Sequence, residues 1–425
     1  MTVDKKWTQW AEDVVAGKIV TGEYIKLACQ RYLDWFDRDD IYFNVELMER
    51  IDAFIPKMKH FEGAWNNKPV VLQPFQYFIL ANIFAWFYKE SPVPNIVKNK
   101  RVVEEALIFI ARKNGKSALA SIIAIADLLI ANGYGNDSGV AAGYEGYCVA
   151  NSLDQAKVLL KFLKGYTKSV DRKKKFFKPY RNYIQYNGKK GKSDGILKAL
   201  ASDSQTLDGL NPDMAVIDEL HAAVDDSVLE VLATGMMAKP NALRVIISSG
   251  GILGTEGFPL YDRVQVAHRR LLGHLEWPDS VFYALFELDE GDDWQDESVY
   301  PKANPAYGVF VAPTSMHNSL KEAQVNMSKQ INFKIKNLDI FCQSSDIWIS
   351  NDLFSKCAVN LDMSKLAGEY CYCGVDLSAT NDLTAFAQCW PPNPMREYYP
   401  DKYILRCFCW VPRKAANESA NAQLY

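Results

Sequence analysis

A continuous apolar run, Ala106-Leu107-Ile108-Phe109-Ile110, leads straight into Ala111-Arg112-Lys113-Asn114-Gly115-Lys116-Ser117. No other stretch restricts the fold of this chain as strongly. A short run without polar alternation predicts a strand buried on both faces, as parallel sheets require. Residues 118–131 are rich in Ala, Leu and Ile and predict a helix, stopped by Asn132-Gly133. Strand, glycine-containing loop and helix in that order bring backbone N–H groups and a helix N-terminus to one point, which suits a phosphate group. Lys116 is then placed to reach the β- and γ-phosphates of a nucleotide, and Ser117 to coordinate Mg²⁺. The general loop opens with a glycine where this chain has Ile110, so the motif is incomplete and needs companions.

A companion lies downstream. Met214-Ala215-Val216-Ile217 is an apolar strand that ends in Asp218-Glu219. Asp218 would hold the Mg²⁺ through water, and Glu219 would orient and deprotonate an attacking water. A third element, Ser248-Ser249-Gly250-Gly251 after the run Leu243–Ile247, has two readings. Small hydroxyl residues ending a central strand can report the loss of a γ-phosphate, and the same four residues also make a good turn. Further strands at 147–150 and helices at 153–166 and 227–236 alternate with these. The predicted fold is α/β: a P-loop NTPase with a central, mainly parallel sheet flanked by helices.

Composition narrows the surroundings. The chain has 425 residues, and 48% hydrophobic with 23% charged positions is a globular balance. No apolar run reaches the roughly 18–20 residues of a membrane span, so no membrane partner is expected. Phe75–Tyr88 reads as a buried helix, and residues 289–305, acidic with Pro301 and Pro305, as a surface loop. The formal net charge of -3 excludes a uniformly basic nucleic-acid coat. Local basic stretches remain at Arg172-Lys173-Lys174-Lys175 and at Lys189-Lys190 with Lys192. Nine cysteines are scattered without repeated Cys-x-x-Cys spacing and read as reduced core thiols rather than a zinc site. From about residue 366 the pattern changes to an antiparallel meander, with strands expected at 370–377, 383–390 and 402–410.

Several separated strings together resemble the large subunit of tailed-bacteriophage terminases, from about residue 10 to the end. They are Arg112–Ser117, Leu207-Asp208-Gly209-Leu210-Asn211-Pro212, Val216–His221, and Gly374-Val375-Asp376-Leu377-Ser378 with Asp382-Leu383-Thr384. The resemblance makes the missing first glycine expected and gives Arg112 a catalytic role at the γ-phosphate. It implies that Gln76, in Leu72-Gln73-Pro74-Phe75-Gln76, recognises adenine, and that Ser248, Ser249 and Gly250 couple hydrolysis to domain movement. Arg112, Lys113, Asn114, Gly115, Lys116 and Ser117 complete the implied ATP site. Arg172, Arg181, Arg263 and Arg269 are candidates for an arginine supplied to a neighbouring subunit.

The resemblance also implies a domain plan. A helical N-terminal region (1–65) and the ATPase (66–345) precede a linker (346–365) and the start of an RNase H-like α/β nuclease (366–425). Asp376 matches the first nuclease ligand for Mg²⁺ or Mn²⁺, and Asp382 matches a family position nearby. Asp401 reads as a turn residue, so the nuclease is expected to be incomplete. Implied partners are double-stranded viral DNA, a portal protein, a small terminase subunit and further copies in a ring. The implied location is the bacterial host cytoplasm, transiently on the procapsid. The alternative is an inactive prophage remnant that binds nucleotide, DNA or partners without turnover, against which intact Lys116, Ser117, Asp218 and Glu219 speak. A helicase-type ATPase finds no further motif.

Overall fold

The computed structural model describes residues 4–94, 99–131, 143–188, 194–201, 209–223, 225–253, 258–343, 354, 356–377 and 384–410. Lys189, Lys190 and Lys192, the helix stop at Asn132-Gly133, Leu207-Asp208, and Ser378 with Asp382-Leu383 lie outside the described residues. The chain divides into two compact units, Met1–Ile347 and Trp348–Tyr425.

The first unit opens with α1 (Lys5–Val15), α2 (Glu23–Asp34), β1 (Ile41–Phe43), α3 (Val45–Phe54), α4 (Pro74–Phe84) and β2 (Trp86–Tyr88). The run expected as one helix over 75–88 therefore breaks at Ala85, and β2 pairs antiparallel with β1. Aromatic residues favour a pleated, half-buried surface over a helix, and here tertiary packing decides. The Trp86 ring is met edge-on by Tyr32, Trp35, Phe36 and Phe43. These N-terminal elements share one continuous hydrophobic core with the sheet that follows.

That sheet contains β3 (Glu105–Phe109), β4 (Tyr144–Ala150), β5 (Phe177–Pro179), β6 (Tyr183–Asn187), β7 (Asp194–Ala201), β8 (Met214–Asp218) and β9 (Leu243–Ser248). A short β10 (Ile252–Leu253) precedes its last strand, β11 (Val281–Leu285). The strand order is β11-β3-β9-β8-β4-β7-β6-β5. From β11 to β7 all neighbours are parallel, and β6 and β5 continue antiparallel at the edge. Every residue of β8 is buried, whereas β7 alternates between buried and partly exposed positions. The apolar central strands are therefore legible in sequence, and the half-solvated strands β5–β7 towards one edge are not.

Helices α5 (Lys116–Ala131), α6 (Leu153–Val170), α7 (Ser227–Met236) and α8 (Phe258–Leu271) flank the sheet. Helix α5 is apolar nearly all round and carries the buried Asp127. Asp127 accepts hydrogen bonds from Arg101 Nη1 and from the Tyr144 hydroxyl, each at 2.8 Å. Arg101 also donates to the carbonyls of Val103, Asn241 and Ala242, so both charges are satisfied out of water.

A second, smaller core follows in α9 (Tyr300–Ala303), α10 (Pro313–Val325) and α11 (Met327–Leu338), which lead to β12 (Cys342–Gln343), parallel to β10. Residues 289–305 are thus only partly the expected surface loop: Tyr300, Ala303 and Asn304 are fully buried. In the second unit, β13 (Tyr372–Asp376), β14 (Thr384–Trp390) and β15 (Ile404–Trp410) form the expected antiparallel meander. Its core is small, around Leu366, Trp390 and Ile404. All nine cysteines are free, but only Cys29 and Cys148 are buried, so the core reading fails for the exposed Cys357, Cys373, Cys407 and Cys409. No described helix is long and apolar enough to cross a membrane.

Candidate active site

The turn from β3 into α5 lies where the central parallel strands end. Lys113 and Gly115 adopt positive φ, 71° and 84°, and Ile110 is not among the positive-φ residues. The backbone reversal that favours glycine thus falls inside the loop, and the buried Ile110 continues the strand, its N–H donating to Ser248 O at 3.0 Å. That is why a side chain fits where the general motif has its first glycine.

Asn114 holds the loop from within. Its amide donates to Ala111 O at 3.1 Å and to Asn304 Oδ1 at 2.9 Å, and its Oδ1 accepts from Ala306 N–H at 3.1 Å. The Arg112 N–H donates to Lys336 O at 3.0 Å, leaving the guanidinium side chain exposed. The loop is therefore braced against α9 and α11, elements remote in sequence.

Beside it opens a cavity of about 630 Å³. Its polar lining includes Gln76, Arg112, Lys113, Lys116, Ser117, Asp218, Glu219 and His221, and Phe162, Tyr166 and Phe310 contribute apolar walls. Lys116 is buried and its Nζ donates to Ile110 O at 2.9 Å. Burial pulls its pKa below the ordinary lysine value, against the opposing charges of Asp339, Glu219 and Asp218. Asp218 is 7% exposed, and its Oδ1 has no hydrogen-bond partner. Burial, reinforced by the neighbouring Glu219, pushes its pKa up to about 7, and Lys116 opposes the rise. A buried carboxylate oxygen left unpaired, in a cavity that Ser117 also lines, suits a divalent cation.

Glu219 sits in the left-handed region, φ 60° and ψ 44°, a strained backbone for a non-glycine residue. Its N–H donates to Ile247 O at 3.1 Å, tying the end of β8 to β9. Its Oε2 lies 3.1 Å from His221 Nδ1, and that nitrogen is also 3.2 Å from Ser248 Oγ. Burial holds the His221 pKa below its ordinary value, opposed by Glu219. On the far side of the turn, Gly250 N–H donates to Asp339 Oδ1 at 3.0 Å.

The expected site residues thus separate by position. Gln76, Arg112, Lys113, Gly115, Lys116, Ser117, Asp218 and Glu219 line one cavity. Asn114 is behind it, and Ser248, Ser249 and Gly250 adjoin it through His221. Gln76 Oε1 accepts the Gln73 N–H at 2.9 Å, which leaves its amide group as the end facing Gly115. None of the four arginine candidates is among the lining residues, and Arg263 pairs with Asp226 at 2.9 Å. Asp376 is in the second unit, exposed at the end of β13, and no group of three or more His, Cys, Asp or Glu suited to a metal occurs among the described residues. Asn304 and Asp339 carry no motif of their own, and His221 ends the Val216–His221 string without a role assigned to it from sequence. His221 is signalled only by its closeness to Asp218-Glu219, and the other two only by the fold.

A mainly parallel sheet with this loop between strand and helix, and acids ending the strand two places away, defines the P-loop NTPase class. The family model "Terminase large subunit, ATPase domain" matches residues 74–257, and "Terminase large subunit, endonuclease domain" matches residues 277–423. The chain belongs to the terminase large subunit family. It is 26% identical over 380 residues to the large terminase subunit of Enterobacteria phage HK97, covering 87% of this chain and 66% of that protein. It is 30% identical over 182 residues to Protein YmfN of Escherichia coli (strain K12), covering 43% of this chain and 39% of that protein. The crystal structure of the HK97 large terminase superposes with a TM-score of 0.53 at 22% identity, over 87% of this chain and 69% of that one, and shows a shared fold. The chain therefore spans between two fifths and two thirds of the length of these two curated relatives.

The endonuclease match corrects the expectation that only the opening of that domain, from residue 366, is present. It begins at 277, ahead of β11, although β11 is hydrogen-bonded to β3 inside the first unit. Sequence kinship and compactness divide this chain at different places, because a shared sheet edge binds residues 281–285 to the first core.

Proposed function

We propose that the cavity binds ATP with Mg²⁺ and hydrolyses it to drive double-stranded viral DNA into a procapsid. The observation that carries this reading is the convergence of Lys116, Ser117, Asp218 and Glu219 on one cavity, with a buried Asp218 oxygen left without a partner. Loop N–H groups and Lys116 bind the β- and γ-phosphates, and the Gln76 amide meets the adenine edge. Ser117 and Asp218 would hold the Mg²⁺, which when bound neutralises charge on the phosphates. Glu219 orients the attacking water and takes its proton, with His221 holding the carboxylate in place. Arg112, exposed at the cavity mouth, stabilises charge on the departing γ-phosphoryl group. Lys113 and Asn114 shape the loop, and Ser248, Ser249 and Gly250 transmit the change to the rest of the chain.

Asp376 would take part in holding Mg²⁺ or Mn²⁺ in the endonuclease domain. The partners in this reading are viral DNA, a portal protein, a small terminase subunit and further copies in a ring, in the host cytoplasm. The exposed Arg172–Lys175 turn offers phosphate contacts, whose grip would weaken with salt. Phosphate release by the wild-type chain, Lys116→Ala and Glu219→Ala, with nucleotide binding measured in parallel, tests the proposal. Wild type should exceed both variants by at least about 100-fold, and Glu219→Ala should still bind. Equal rates for all three would refute it.

A further inference from the structure

Asp339 lies at the end of α11, 2% exposed, with φ 56° and ψ 26°. A left-handed backbone at a non-glycine residue costs free energy and persists only where surrounding contacts impose it. Its Oδ1 accepts the Gly250 N–H at 3.0 Å, and its Oδ2 is buried with no partner. A carboxylate is costly to bury in this way, and burial raises its pKa well above the ordinary value, with Lys116 as the main opposing charge.

The surroundings give the residue a task. The segment 248–253 is gripped from two sides. On one side Ser248 meets His221, which meets Glu219. On the other side Gly250 meets Asp339, the Cys342 N–H donates to Gly251 O at 3.3 Å, and β10 pairs with β12. Gly250 is closely seated: a Cβ built on it would lie 3.0 Å from the Asp339 carbonyl carbon. Residues 339–343 then lead in sequence towards the second unit. The hydrolytic acid and the chain leaving the first unit are thus joined through one six-residue segment.

We propose that Asp339 is a positioning residue that clamps the 248–253 segment through Gly250 N–H, so that displacement of Glu219 and His221 reaches β12 and the chain beyond it. It is not among the residues lining the cavity, and the inference rests on the cavity being the ATP hydrolysis site. Its essential element is the hydrogen-bond acceptor, which asparagine retains and alanine lacks.

Steady-state phosphate release and hydrogen–deuterium exchange of peptides covering 248–253 and α5 test it, with wild type, Asp339→Ala and Asp339→Asn. Asp339→Ala should lower kcat at least about tenfold with KM within about twofold, corresponding to about 1.4 kcal/mol in the turnover barrier. It should also raise exchange in 248–253 but not in α5, and Asp339→Asn should restore both readouts. An unchanged kcat and exchange in Asp339→Ala overturns the proposal. So does a change in KM together with exchange throughout the first unit, which marks a merely structural residue. A wild type that does not hydrolyse ATP sinks the hydrolysis reading instead, and exchange in 248–253 across the three proteins then decides the role of Asp339.

Discussion

Asp218 gives the most quantitative test, because its buried charge should make the protein less stable where the site is chemically most useful. Its carboxyl rises from the ordinary 3.8 to about 7 in the folded chain, through burial first and Glu219 second. Between those values the folded state keeps a proton that the unfolded state has released. Stability therefore falls with increasing pH, by about 1.4 kcal/mol per pH unit from this group, and levels off above about pH 7. The full penalty is roughly 4 kcal/mol, and with Asp218 7% exposed, solvent screening removes little of it. Asp218→Asn is neutral at every pH and close in shape, so it should be more stable than wild type in the absence of divalent cations. Its advantage should widen between pH 5 and 7 and hold constant from 7 to 8.5. Scanning calorimetry with a chelator, over that pH range, measures the gap. Adding Mg²⁺ and ATP at about 100 times Kd should recover about 2.7 kcal/mol in wild type and much less in Asp218→Asn. A gap independent of pH would refute the burial of an ionisable, unpartnered carboxylate.

Two further outcomes follow from the packing. Asp127→Ala leaves Arg101 buried without its carboxylate and should cost about 3–5 kcal/mol in chemical denaturation, whereas its nucleotide affinity, measured on the folded protein, should be unchanged. Gly115→Ala places a Cβ at φ 84° with Gln76 Nε2 3.4 Å away, a backbone cost of about 1–3 kcal/mol. Titration calorimetry should show ATP affinity reduced by about tenfold or more, and unchanged affinity would mean that the loop readily adopts another conformation.

The phosphate loop, the Asp218-Glu219 pair and the central strands were legible in sequence for one physical reason. A strand covered on both faces has to be continuously apolar, and a phosphate-binding turn needs glycine and lysine at set positions, so the local residues carry the signal themselves. Strands β5–β7 and the β2 strand hidden in an aromatic run were not legible: β7 alternates in burial, but apolar Ile196 and Leu200 occupy its partly exposed positions and blur that period in sequence, and tertiary packing decides β2. Family kinship added Arg112 and Gln76 as site residues, and both line the cavity. Only the tertiary structure could show why Ile110 fits where a glycine is usual: positive φ falls at Lys113 and Gly115, and Asn304 braces the loop through Asn114. Likewise, Ser248–Gly250 reads as a turn in sequence, and its link to His221 on one side and Asp339 on the other depends on residues up to 89 positions apart. Such links arise because buried polar groups must find partners wherever the fold brings them, and no local pattern records that choice.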